Sequence, residues 1–385
     1  MSDGQLTLRD AIYHYQGDSR LLGEAKMTTQ KNTHELRDAA LKRVSGLKKT
    51  KPELAKFLSH VYSATDEEDL GLYSGEQFDA ILAHSYARFA KRNKDEHLIH
   101  IWKADEKDPR GPLIIDIFMA DMPFVVDSVL GAIRAKGSTV RMFVHPVLPV
   151  DKAVKPWKIL DKGDKNSGSE SFLQVHIDPI SDEVALAELY TEIDGVLMEV
   201  GRAVRGWRPM LERLKTLIQS YRQNPPDLSS PVIAETLHFL AWLADHNFTF
   251  LGMREYALEG KSAKGQLKPV KNGGLGILED PEYYFLRKGN DYVEMTDEHR
   301  VFWNKPDPIM VTKANIQARV HRRGHLDYIG VKLFDESGKL TGELRMVGLF
   351  TSMSLATPHT EVPLVRRKVS EVMRMSKIEP GSHAG

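Results

Sequence analysis

Between residues 121 and 128 the sequence DMPFVVDS sets two carboxylates, a proline and a serine at the start of an apolar helical pattern. Asp121, Met122 and Pro123 make a turn, and Pro123 suits a first helical turn because its missing N–H costs nothing there. Val125, Val126, Val129, Leu130 and Ile133 then recur at helical spacing until Gly137 supplies a stop. Such a turn presents backbone N–H groups at a helix N-terminus, where the helix dipole favours a carboxylate. Asp121 and Asp127 bring the opposite charge and suit an ammonium group. One molecule carrying both groups is an amino acid, so Asp121, Met122, Pro123, Phe124, Asp127 and Ser128 are the candidate effector-binding residues. The plainer alternative makes Asp121 a turn residue and N-cap, with Phe124 filling the space a ligand would need.

A second concentration of polar chemistry is His321, Arg322, Arg323, His325 and Asp327, with Lys313 and Asn315 shortly before it. Lys313, Asn315, His321, Arg323 and Asp327 could hold an anion or phosphate; equally, they could form the solvated rim of a sheet or one side of a domain interface. Nothing else in the chain carries a reaction. HExxH, GxSxG and Walker-type loops are missing, and Gly273-Gly274-Leu275-Gly276 lacks both the strand before it and the Gly-Lys-Ser/Thr ending of a phosphate loop. His84, Tyr86, His145 and His176 fall inside helical or strand patterns and read as packing residues, so no catalytic residue, no metal and no bound cofactor is expected in this chain.

The elements that position the turn are legible on both sides of it. Leu113, Ile115, Ile117 and Met119 alternate, while Ile114 and Phe118 make the other face apolar too, as in a strand covered on both sides. Val140, Met142, Val144 and Val147 resume a strand-like run, which gives a short βαβ unit. Its spacing resembles the ACT domain, a small module that often recognises amino acids, although ACT turns usually have glycine after the proline. The strand 171–180 and a long helix from Ser181 to residue 222, kinked near Gly206 to Pro209, come next. The closing strand of an ACT domain is not visible after that helix; either the strand at 97–104 takes its place or the topology differs. Three helices over 34–49, 51–63 and 74–93 form a prologue behind a polar arm over 1–33.

QNPPDLSSP (223–231) reads as a linker. Beyond it come a helix through residue 247 capped at Ser230 and Pro231, a strand over 248–258, a loop over 260–282, and strands over 308–315 and 316–323. A hairpin over 326–352 turns at Asp335 to Gly338, and a basic helix over 362–377 ends the pattern. The expected fold class is α+β: residues 1–95 an arm and helical prologue, 96–225 an ACT-like, ferredoxin-like βαβ sandwich with its long helix, and 226–385 a mixed antiparallel-sheet domain with a terminal helix.

Lys+Arg and Asp+Glu both number 53 among 385 residues, so no net field favours nucleic acid or anionic lipid. The chain has no cysteine, which excludes disulfides and thiolate chemistry. No run of about 18 apolar residues and no signal peptide is visible, and a cytoplasmic location is expected.

Several separated segments resemble one family: MPFVVDSVLGAIRAKG with VHPVLPV, SFLQVHID, HNFTFLGMREY, LGILEDPE, VTKANIQARVHRRGHLDYIGVKLFD, and GELRMVGLFTS with VPLVRRKV after it. In this order and spacing, over roughly residues 40–385, they are similar to the N-terminal region of the large bacterial NAD-specific glutamate dehydrogenases. The resemblance implies ACT-like and PAS-like regulatory modules, the PAS-like one over 226–352, and a homotetrameric parent enzyme with NAD in a catalytic domain far downstream. It transfers no catalytic lysine, aspartate or dinucleotide-binding residue to this chain. The expected role is that of a regulatory and assembly fragment partnered by the downstream catalytic domain and further copies, with either an amino-acid effector at the turn or a purely oligomerising role.

Overall fold

The computed structural model describes residues 26–376 except 93, 162, 165–167, 261–265, 289–290 and 293–296. The arm over 1–25 lies outside the described residues, whereas residues 26–33, expected to be part of it, continue the first helix. Residues up to Asp121 together with Val140–Pro179 form one compact unit; Met122–Thr139 together with Ile180 onward form the other.

In the first unit, α1 (Lys26–Leu47), α2 (Pro52–Ala64) and α3 (Gly75–Phe89) cover one face of a six-stranded sheet. Ser74 starts α3 with a capping box: its hydroxyl accepts from the Gln77 N–H, and the Gln77 side chain accepts from the Ser74 N–H. The strands are β1 (Leu98–Lys103), β2 (Leu113–Ala120), β3 (Val140–Val144), β4 (Val147–Asp151), β5 (Lys158–Ile159) and β6 (Gly168–Ile177). Both β2 and β3 pair antiparallel with β6, so they run parallel to each other with β6 between them. This is the split βαβ arrangement of ferredoxin-like sheets. β1 pairs antiparallel with the free edge of β2, and so occupies the place of the missing closing strand. The expected single run after residue 140 breaks at His145-Pro146, because proline cannot donate to the ladder; β3 and β4 pair separately with opposite ends of β6.

The helix-facing side of this sheet holds Ile114, Phe118, Met142, Val144 and Phe172 against Phe57, Leu58, Val61, Leu82 and Phe89. Through it runs a buried polar chain. Asp116 accepts hydrogen bonds from Ser85 Oγ (2.9 Å), Trp102 Nε1 (2.9 Å) and Gln174 Nε2 (2.8 Å). Gln174 Oε1 lies 3.0 Å from His176 Nε2, and Tyr73 Oη lies 2.6 Å from His176 Nδ1. The histidine therefore donates from Nε2 and accepts at Nδ1, consistent with burial holding its pKa down to about 3. On the opposite face Leu113, Ile115, Ile117, Leu173, Val175 and Ile177 are buried as well.

The second unit is organised by α4 (Val125–Ala135) and by α5 (Glu183–Gln223), 41 residues that continue through Pro209. At 1.5 Å per residue α5 is about 60 Å long. Asp182, not Ser181, caps it, its carboxylate accepting from the Val184 N–H. The unit's sheet comprises β7 (Phe248–Glu259), β8 (Gln266–Gly276), β11 (Ile309–Gln317), β12 (His325–Phe334) and β13 (Leu340–Phe350), with the short β9 (Arg287–Lys288) and β10 (Asp291–Tyr292) pairing apart from it. All its pairings are antiparallel, in the order β11-β12-β13-β7-β8. The first half of α5 packs on α4, and the second half buries Met210, Leu214, Leu217 and Ile218 on this sheet. The helix is long enough to serve both, which is why it groups with the sheet beyond the linker at 223–231. α6 (Ser230–Trp242), preceded by Ser229 at the N-cap, shares the core with α5, and α7 (Asp297–Trp303) puts Phe302 and Trp303 against Tyr256 and Leu267 on the other face. α8 (Ser352–Ala356) and α9 (Val365–Ser376) end the described chain.

Three further expectations fail. Residues 266–276, expected to be loop, form β8, an edge strand paired only with β7 that needs little apolar content. Residues 316–323 are not a second strand: β11 ends at Gln317 after a bulge, and the Ala318 N–H donates to Gly324 O (2.7 Å) to close a loop. Phe124, with φ 74°, stands at the N-cap of α4, so neither Asp121 caps the helix nor Pro123 lies inside it.

The glycines of the GGLG run serve close approach rather than phosphate. A Cβ on Gly206 of α5 would meet the Gly276 nitrogen at 2.5 Å, and one on Gly276 would collide with Leu251 O. Gly206→Ala is therefore expected to destabilise the protein by about 1–3 kcal/mol despite alanine's better helix propensity, seen as a lower urea midpoint. An unchanged or raised midpoint would show that α5 and β8 can separate without cost.

Candidate functional site

The turn that opens α4 is built from residues whose backbone is unusual. Phe124 takes a left-handed conformation, no side chain caps the helix, and Val125, Ser128, Val129, Ala132 and Ile133 are buried behind it. The loop between β11 and β12 sits on this helix start. The His321 N–H donates to Ser128 Oγ at 2.9 Å, and the rings of His321 and Phe124 lie 4.9 Å apart. His321 is itself left-handed, with φ 68°. Two non-glycine residues at positive φ in mutual contact is local strain that the surrounding packing must hold. His321 Nδ1 points toward Asp127 Oδ2 at 3.6 Å, too long for a hydrogen bond, and that nitrogen is buried without a hydrogen-bond partner.

The same loop carries two arginines into carboxylates of α5. Arg319 reaches Glu192 Oε2 at 3.1 Å and Glu199 Oε1 at 2.6 Å, and Arg323 reaches Glu192 Oε1 at 3.0 Å. Burial pushes the Glu192 carboxyl up, but the hydrogen bonds and charge of Arg323 and Arg319 outweigh it and hold it below the usual range. Glu199 goes the other way, raised by burial that Arg319 only partly offsets. Arg323 Nε and Glu199 Oε2 are buried with no hydrogen-bond partner, like His321 Nδ1.

The two clusters singled out in the sequence therefore divide. Phe124, Asp127 and Ser128 come together with His321, and Arg323 lies on the same loop; Lys313 and Asp327 do not join them. They pair with each other across β11 and β12 at 2.7 Å, Asp327 Oδ2 also accepting from the Phe350 N–H. Asn315 lies on β11, and His325 Nδ1 meets Ala314 O at 3.1 Å. Met122 and Pro123 form the approach to the helix. Asp121, in the first unit, has its N–H on Ser169 O (3.0 Å) and a carboxyl raised by desolvation. Arg319, Glu192 and Glu199 escaped sequence reasoning; the available signal was two carboxylates seven residues apart, hence on one face of the long helix.

Two parts of the chain match known family models. Residues 57–193 match the glutamate dehydrogenase ACT1 domain, and residues 362–385 match glutamate dehydrogenase helical motif 1. The first match opens inside α2, so the rest of α2 and all of α3 are counted with the sheet they cover. An NAD-specific glutamate dehydrogenase of Halomonas elongata is 30% identical over 284 residues, 70% of this chain and 17% of the relative. One of Pseudomonas aeruginosa is 29% identical over 277 residues, again 70% and 17%, and one of Mycobacterium tuberculosis is 23% identical over 312 residues, 80% and 18%. The chain thus spans less than a fifth of the length of these relatives. Among the described residues no helix is long and apolar enough to cross a membrane.

Proposed function

From a chain similar to the N-terminal region of NAD-specific glutamate dehydrogenases, with an ACT1 match over residues 57–193, we propose a regulatory and assembly segment of such an enzyme. The parent reaction is oxidation of L-glutamate by NAD with water to 2-oxoglutarate, ammonium and NADH, carried by a downstream domain of a cytoplasmic homo-oligomer. This segment holds no NAD and does no chemistry of its own; it responds to an amino-acid effector at the Asp121–Ser128 turn and biases the distant active site. The second sheet, antiparallel with α7 on one face and α5 and α6 on the other, suits a PAS-like module.

The observation that carries the effector reading is the uncapped start of α4, flanked by exposed Asp127 and by His321 Nδ1 and Arg323 Nε, which have no hydrogen-bond partner. A carboxylate would complete the helix N–H groups and these nitrogens, and an ammonium group would take Asp127. One feature favours the second reading, an oligomerising module without ligand: Phe124 and His321 already lie on the turn. Thermal unfolding against amino acids, 2-oxoglutarate, NAD and nucleotides separates the two. A ligand at a hundredfold excess over its Kd adds about 2.7 kcal/mol to stability. We expect a rise in Tm with an amino acid that Asp127→Ala abolishes while the fold is kept. A flat response to the whole panel, with concentration-dependent self-association, would leave the assembly role alone.

A further inference from the structure

Within the first unit, α3 and β1 bring two histidines together that the turn and its loop do not involve. His84 Nε2 and His100 Nε2 face each other at 3.3 Å, with ring planes 15° apart. Both rings lie along Trp102, His84 stacked at 4.0 Å between centroids and His100 at 6.2 Å, and Trp102 is itself anchored by its Nε1 donating to buried Asp116. The pair is reachable: His84 is exposed and His100 half-buried.

The separation is informative. With no cation present, one imidazole donates to the other in a long hydrogen bond of 3.3 Å. Two nitrogens bound to one tetrahedral cation at about 2.0–2.1 Å stand about 3.3–3.4 Å apart. We propose that His84 and His100 form a two-histidine site for a divalent first-row transition cation. Imidazole donors select zinc, nickel or copper over magnesium or calcium, with copper(II) held most tightly. Among the described residues no group of three histidine, aspartate or glutamate side chains surrounds a cation position, so water or an incoming ligand completes the shell. Arg88, whose charge acts on both histidines, opposes a cation there and limits its affinity. The bound ion would tie helix α3 to the edge strand β1, and so to the end of the sheet. Two histidines on separate elements leave no ligand spacing in the sequence, which is why His84 reads as packing there.

The test is thermal unfolding of the untagged, chelator-stripped protein with Ni(II) or Zn(II), with Mg(II) as control. Nickel and zinc are expected to raise Tm and magnesium to leave it unchanged, and His84→Ala and His100→Ala are each expected to weaken nickel binding by at least about tenfold. A shift that survives both variants, or no shift with any of the three ions, overturns the site. Because either variant could also disturb α3 or β1, the wild-type protein loaded with one equivalent of Cu(II) gives an independent reading by electron paramagnetic resonance. Two equatorial imidazole nitrogens support the proposal, and one or none refutes it.

Discussion

Arg345→Met is expected to cost about 3–5 kcal/mol of stability, because it breaks a fully buried ion pair from one side. Arg345 and Glu343 lie two residues apart on β13 and therefore on one face, with side chains 1% and 0% exposed and Nε to Oε2 at 3.2 Å. Tyr328 donates its hydroxyl to the other carboxylate oxygen, and the guanidinium lies over the Tyr256 ring at 4.1 Å. Gly330, opposite Arg345 in the ladder, makes the cluster possible, since a Cβ there would collide with Glu343 Oε1. Burial alone would lower the arginine, but Tyr328 and Glu343 raise it above its ordinary value. Methionine keeps much of the volume and removes the charge, stranding Glu343 in the interior. The double replacement Arg345→Met with Glu343→Leu removes both charges and should recover most of the loss. Urea midpoints for both singles and the double close the cycle; a single variant within about 1 kcal/mol of wild type would show that the interior tolerates either group without its partner.

How much of this was legible in the sequence depends on the range of the forces involved. The hairpin over β12 and β13 was legible because its turn is local: Asp335 accepts from the Ser337 and Lys339 N–H groups, and Gly338 takes φ 75°. The buried β2 and the amphipathic α4 were legible from period alone. β8 was not, because an edge strand paired on one side needs few apolar residues, and its glycines answer to α5 and β7 rather than to the strand itself. Residues 316–323 alternate like a strand, but a bulge and a loop closure win over that pattern. The helix at Asp297–Trp303 is too short to show a period. Of the site, each half carried its own signal, a proline turn and a basic run. The bond from His321 to Ser128 joins residues 193 positions apart, a tertiary fact with no local trace.

The pH dependence of the first unit should be governed by two buried groups that oppose each other. Burial raises Asp116 from 3.8 to about 6, against the hydrogen bonds of Gln174, Ser85 and Trp102. Between those values the folded protein holds a proton that the unfolded chain releases, so this group lowers stability as pH rises through the window, by about 3 kcal/mol at neutral pH. Burial lowers His176 from 6.5 to about 3, so the unfolded chain takes up a proton there that the folded one refuses. That group's stabilisation is present above pH 6.5 and is lost as pH falls, which offsets the gain at Asp116 over nearly the same range. Between about pH 4 and pH 6.5 the wild-type contributions of this pair should therefore nearly cancel. Asp116→Asn breaks the balance. The asparagine still accepts a hydrogen bond at its oxygen but no longer gains a proton in acid, so relative to wild type it should be favoured near pH 7 and penalised near pH 4. The difference in urea-derived stability between the two proteins should swing by about 3 kcal/mol across that range. A difference independent of pH would mean that Asp116 stays ionised inside the sheet, held by its three donors, and that the polar chain from Trp102 to Tyr73 stabilises a buried charge.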